Sequence, residues 1–140
     1  MHRSIYALAL LSLSLLSGMA NAADLTVQLH GIRVQAGNIM MTVVDSQDSW
    51  DGKAKPVARE ALVPDGDTAT VTFEGLEPGD YAVMIAHDEN SNGKLDTNLI
   101  GMPTEGYGFS NNPRVMRKPT WDEARIALGA DAATLRIELR

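Results

Sequence analysis

The stretch TATVTFEGLEPGDYAVMIA, residues 68–86, decides the fold. Its first part alternates, with Ala69, Val71 and Phe73 on one side and Thr68, Thr70 and Thr72 on the other. That period of two marks a half-buried strand. Tyr81 to Ala86 is almost continuously apolar, as in a buried strand. Between them, Gly75 to Tyr81 forms a compact turn, and Pro78-Gly79 fits the centre of a type II turn, where glycine accepts positive φ.

The same pattern extends both ways. Leu25, Val27 and Leu29 alternate with Thr26 and Gln28, and Gly37-Asn38 signals a turn. Ile39 to Val44 reads as a central strand buried on both faces. Ser46 to Lys55 reads as a loop, with Trp50 capping one end of the core. Val57 to Val63 suits either a strand or a helical turn, and Pro64 to Asp67 forces the chain to reverse. Ala124 to Leu128 and Thr134 to Leu139 are strands joined by Gly129-Ala130-Asp131. About seven short strands with regular turn signals and no long helix predict an all-β fold: an antiparallel Greek-key β-sandwich.

Residues 1–22 stand apart. A basic start at Arg3, an apolar run from Ile5 to Leu16 and the small-residue site Ala20-Asn21-Ala22 make a secretory signal peptide. The run is too short to span a bilayer comfortably. The expectation is therefore a single domain over 23–140, periplasmic or secreted, with no membrane insertion after cleavage. There is no cysteine, so stability must come from an ordinary core. The chain has 12 Lys and Arg against 18 Asp and Glu, a net charge of −6. This acidic balance argues against nucleic acid and anionic lipid surfaces as partners.

The chemistry concentrates in His87–Asn112, HDENSNGKLDTNLIGMPTEGYGFSNN. With Asp88 at position 1, Asn90, Asn92, Lys94 (through its carbonyl) and Asp96 occupy the odd ligand positions of a D-x-[DN]-x-[DN]-G calcium loop, and Gly93 supplies its turn. Position 12 is Leu99 where a bidentate glutamate belongs. With only two carboxylates, a Ca²⁺ site here is expected to be weak, with Kd about 10⁻⁴–10⁻³ M. The same residues also build Asx turns with no metal, and both readings stand. His87 and His30 offer two Zn²⁺-type ligands, though nothing in their spacing requires the metal. Gly106-Tyr107-Gly108-Phe109 reads either as a binding platform or as aromatics plugging the end of the sandwich. Arg114, Arg117 and Lys118 form a basic cluster placed to pair with the acidic loop.

Phe73-Glu74-Gly75-Leu76-Glu77-Pro78-Gly79-Asp80-Tyr81 resembles the strand–turn–strand element of transthyretin-like (prealbumin-like) sandwiches. A more specific set is His87-Asp88-Glu89-Asn90, Asn92 to Asn98, Gly101, Pro103 and Glu105 to Asn112. It resembles the secreted bacterial family called domain of unknown function 2141, from which Met102 is a small departure. The resemblance implies a secreted, single-domain sandwich and assigns no activity.

No nucleophile constellation is present: no cysteine, no G-x-S-x-G and no H-E-x-x-H. The leading expectation is a non-enzymatic exported module with a weak Ca²⁺ loop at 88–96. His87, Glu105, Tyr107, Phe109 and Asn111 are the candidate contact surface. One alternative is a protein or enzyme that binds a sugar or apolar small ligand through the 87–112 loop, with His87, Asp88, Glu105 and Tyr107 in one pocket. Another is a cell-envelope adhesion or assembly module pairing through a sheet edge.

Overall fold

The computed structural model describes residues 21–140. The leader read at 1–22 thus lies outside the described residues, apart from its last two positions. Eight strands and two short helices follow: β1 (Ala23–His30), β2 (Asn38–Val44), α1 (Gln47–Trp50), β3 (Ala58–Leu62), β4 (Thr68–Leu76), β5 (Gly79–Asp88), β6 (Tyr107–Phe109), α2 (Trp121–Ala124), β7 (Ile126–Leu128) and β8 (Ala133–Glu138). One sheet has the order β4-β1-β8; the other runs β3-β2-β5-β6, with β7 also on β5.

The alternation read from the sequence forms the core between these sheets. Leu25, Val27 and Leu29 of β1 face Met41, Val43, Val83 and Ile85 of the second sheet, with Phe73 and Ile137 beside them, all buried. Burying such aliphatic side chains contributes about 1.5–3 kcal/mol each, the main driving term of the fold.

The structure departs from the sequence reading at definite places. The sandwich is not wholly antiparallel, because β8 runs parallel to β1, pairing Leu25 with Ala133 through His30 with Glu138. The chain reaches β8 by crossing from β7 in the other sheet, so no hairpin fixes its direction. An eighth strand, β6, lies inside what reads as one long loop. Gly108 is the reason it fits: a Cβ there would stand 2.8 Å from Ile137 Cγ2 and 3.1 Å from the Glu138 carbonyl. Tyr107 and Arg140 exchange backbone hydrogen bonds of 3.2 and 2.9 Å, tying β6 to the end of the other sheet.

The Pro78-Gly79 turn also differs. Gly79 opens β5 and takes no positive φ, whereas Gly75 does, at 69°, where its N–H donates to Asp24 Oδ1. The strand option wins at β3. Two reciprocal capping boxes, Ser46 with Ser49 and Thr120 with Glu123, start helices α1 and α2, so Ala124 ends a helix and only Ile126–Leu128 is strand. β2 is buried on one face along its length; on the other, Met40 is 40% exposed and only Val44 is covered. Trp50 does not cap the main core. It packs with Val44, Ala82 and Ala124 as a second cluster, which those outward-pointing residues place on the outer face of the second sheet.

Candidate functional site

β5 carries the chain out of the core at His87. This ring is 1% exposed; Nε2 lies 2.8 Å from the Ala36 carbonyl, so Nε2 carries the proton, and Nδ1 has no hydrogen-bond partner. Immediately beyond, the Glu105 carboxylate gathers the loop. Oε1 accepts the N–H groups of Glu89 (3.0 Å) and Asn90 (3.3 Å), and Oε2 accepts that of Asp96 (2.8 Å). Glu89 answers in the other direction, its Oε1 accepting Gly106 N–H at 3.0 Å and lying 3.4 Å from Arg33. A carboxylate as buried as Glu105 is tolerable only with such donors around it.

Within the loop, side-chain oxygens stand in for backbone partners. Asp88 accepts the N–H groups of Asn92 (3.0 Å) and Gly93 (2.7 Å). Asn90 Oδ1 accepts Asn92 N–H and Asn92 Oδ1 accepts Lys94 N–H, both at 3.1 Å. The side-chain amides of Asn92 and Asn90 then converge on Asp96, at 2.8 and 2.6 Å. Those two amides, Asn92 first, hold the Asp96 carboxyl below its usual range. These bonds form the Asx-turn arrangement.

From Asp96 the chain runs to a second turn. Asn98 Oδ1 accepts the N–H groups of Ile100 and Met102, and Thr97 bridges Pro103. This hydrogen-bonded tip leaves Leu99 and Ile100 exposed, while Leu95, Met102 and Pro103 fold back over the second sheet. Beneath them lies a cleft of about 450 Å³. Its floor is the outer sheet face, where Met40, Ala86 and Tyr107 align in one cross-strand row and Thr42, Met84 and Phe109 in the next. Met116, Arg117 and Lys118 form the far wall.

That wall is anchored. Arg117 grips Glu123 through two bonds of 2.7 and 2.9 Å, and Thr120 N–H donates to the same carboxylate at 2.8 Å. The pairing with Arg117, then the Thr120 N–H, hold the Glu123 carboxyl at about 2. Trp50 Nε1 donates to the Pro119 carbonyl, and Lys118 Nζ donates to the Trp50 carbonyl (2.6 Å) while sitting 4.6 Å from the Trp50 ring centre. Phe109 packs at 5.8 Å from Trp50, so the aromatic cluster and the cleft share a wall.

The sequence-derived site therefore divides. Asp88, Asn90, Asn92, Lys94 and Asp96 do form one loop. His87 and Glu105 face inward as supports, and Asn111 clamps α2 by donating to the Glu123 and Arg125 carbonyls. Of the contact-surface set, only Tyr107 and Phe109 line the cleft, and they do so on the outer sheet face instead of plugging the sandwich end. His87, Asp88 and Glu105 do not join Tyr107 in that cavity, so the four-residue pocket is not formed. The basic cluster does not pair with the acidic loop, since Arg117 goes to Glu123. No group of three His, Cys, Asp or Glu is placed to share a metal among the described residues, and the His30–His87 zinc pair is not assembled. Sequence reasoning missed Met40, Thr42, Met84, Met102 and Met116 as site residues, and it singled out Lys118 only as part of the basic cluster. The available signal was a pair of central strands with apolar residues at their outward positions.

A family model described as "Uncharacterized protein conserved in bacteria (DUF2141)" matches residues 27–136. Neither the curated proteins nor the solved structures contain a match.

Two outcomes follow from this geometry. Glu105→Ala frees three backbone N–H groups and destabilises the protein by about 1–3 kcal/mol in urea unfolding. Hydrogen exchange at Glu89, Asn90 and Asp96 should quicken most; unchanged exchange there would contradict the hub role. Because the folded Glu123 carboxyl lies below its ordinary 4.5, at about 2, its stabilisation is present above 4.5 and lost as pH falls through that window. Glu123→Gln should flatten that part of the acid dependence, read as melting temperature against pH.

Proposed function

This chain belongs to the bacterial family DUF2141, and from that premise we propose that it is an exported, non-enzymatic module binding a small ligand with an apolar body. The observation that carries this reading is the cleft of about 450 Å³. Its size lies in the usual range for small-molecule sites. Four methionines, Met40, Met84, Met102 and Met116, line it beside Tyr107 and Phe109. Thioether side chains are polarisable and adaptable, suited to an apolar surface that reshapes around a guest. The non-enzymatic part rests on the sequence, which carries no cysteine, no G-x-S-x-G and no H-E-x-x-H. Export rests on the leader pattern at 1–22, and the prealbumin-like, Greek-key kinship on the Phe73–Tyr81 element.

Binding of an uncharged probe, N-phenyl-1-naphthylamine, tests the reading. Its fluorescence should rise and shift to the blue on addition of the protein. Ala86→Phe fills the floor from a half-buried outward position, and should weaken binding by about tenfold or more with little change in melting. Equal binding by wild type and variant would sink the assignment.

The second reading concerns Ca²⁺ at Asp88–Asp96. It is supported by the convergence of Asn90, Asn92 and Asp96 on one point beside Asp88. To serve as ligands the two amides must turn over, presenting Oδ1 toward Asp96 and giving up their bonds to Asn92 N–H and Lys94 N–H. Losing two bonds worth about 1 kcal/mol each keeps such a site weak. Tens of millimolar Ca²⁺ should then stabilise the protein by about 1–3 kcal/mol relative to chelator, an effect lost in Asp96→Ala. Superimposable melts with ion and chelator would remove the metal from the account.

A further inference from the structure

The cleft does not end at Thr42 and Met84. A second recess of about 290 Å³ adjoins it, and Thr42, Met84 and Lys118 line both. The character of the surface changes across that shared boundary. Along one cross-strand row the outward residues run Phe109, Met84, Thr42, Arg59, from β6 to the edge strand β3. One end of the row is aromatic and thioether; the other is a hydroxyl followed by a guanidinium.

Two cations flank the polar end. Lys118 is fixed by the Trp50 carbonyl and ring, and Arg59 lines the recess opposite. Among the described residues neither forms a salt bridge, whereas Arg117 nearby is fully engaged by Glu123. The recess holds one carboxylate, Asp51, whose Oδ2 is already met by Gln47 Nε2 at 3.0 Å and Lys53 Nζ at 3.7 Å. Two positive charges without a carboxylate partner beside an apolar cleft favour an anion at that spot, locally opposing the chain's net charge of −6.

We propose that the ligand is an anionic single-chain amphiphile. Its chain lies in the methionine-lined cleft, and its carboxylate or phosphate head sits between Lys118 and Arg59 in the recess. This rests on the apolar-ligand reading above and adds the head group. The direction of binding follows: the tail points toward Tyr107 and the loop tip at Leu99-Ile100, the head toward β3.

Isothermal titration with four probes below their micellar concentrations tests it: dodecanoate, dodecyl phosphate, 1-dodecanol and dodecyltrimethylammonium. The two anions should bind about tenfold tighter than the alcohol, and the cation more weakly than the alcohol. Whichever anion is the tighter identifies the head chemistry. Arg59→Gln should bring the anions toward the affinity of the alcohol and leave the alcohol unchanged, and Lys118→Gln should weaken the anions more than the alcohol. Arg59 is exposed on an edge strand, so its variant keeps the test sound even if Lys118→Gln loosens Trp50. If 1-dodecanol binds as tightly as dodecanoate, the head-group inference falls and the apolar cleft stands. If none of the four binds, both fall.

Discussion

The structure beyond β5 depends on one buried carboxylate. Glu105 collects N–H groups from Glu89, Asn90 and Asp96, and Glu89 returns the contact through Gly106. A loop that leaves a sheet has backbone donors without partners, and leaving such groups unpaired away from water costs about 1–3 kcal/mol apiece. Here a side chain from the far end of the loop supplies the acceptors. The consequence is positional: the chain from Asp96 to Pro103 becomes a fixed roof, and the space beneath it becomes a cleft.

The acidic loop and the cleft are thus one device with separate tasks. Asp88, Asn90, Asn92 and Asp96 shape the turn, and their bonds are satisfied within it. The cleft is lined by residues of another chemistry altogether, the outward row of β2, β5 and β6. Sheets normally turn polar residues outward. This one turns out Met40, Met84, Tyr107 and Phe109, then covers them partly with the loop, α1, α2 and the anchored Met116–Lys118 segment. The exposed tip at Leu99 and Ile100 extends the same apolar surface toward solvent.

The strands of the core were legible because period-two alternation records which face is buried. Leu25, Val27 and Leu29 needed nothing else. The parallel pairing of β1 with β8 was not legible, since no local pattern states the direction of a strand that arrives from the other sheet. Helix α2 carries a capping box at Thr120 to Glu123, a signal that the strand reading of Ala124 to Leu128 did not use. β6 was hidden because glycine alternates with its aromatics, and only the contact of Gly108 with Ile137 explains why. The Asp/Asn loop was legible as a spacing. The cleft was not, because its lining comes from β2, β5, β6, the loop and the segment before α2, which only the fold brings together.

The central claim is that the roofed outer sheet face is a ligand site, and methionine methyl groups report on it directly. The described chain has five methionines: Met40, Met84, Met102 and Met116 at the cleft, and Met41 in the core. In ¹³C-methyl methionine spectra titrated with 1-dodecanol, the four cleft signals should move together along one saturating curve while Met41 stays still. Signals that do not move, or a Met41 shift matching the others, would contradict the account.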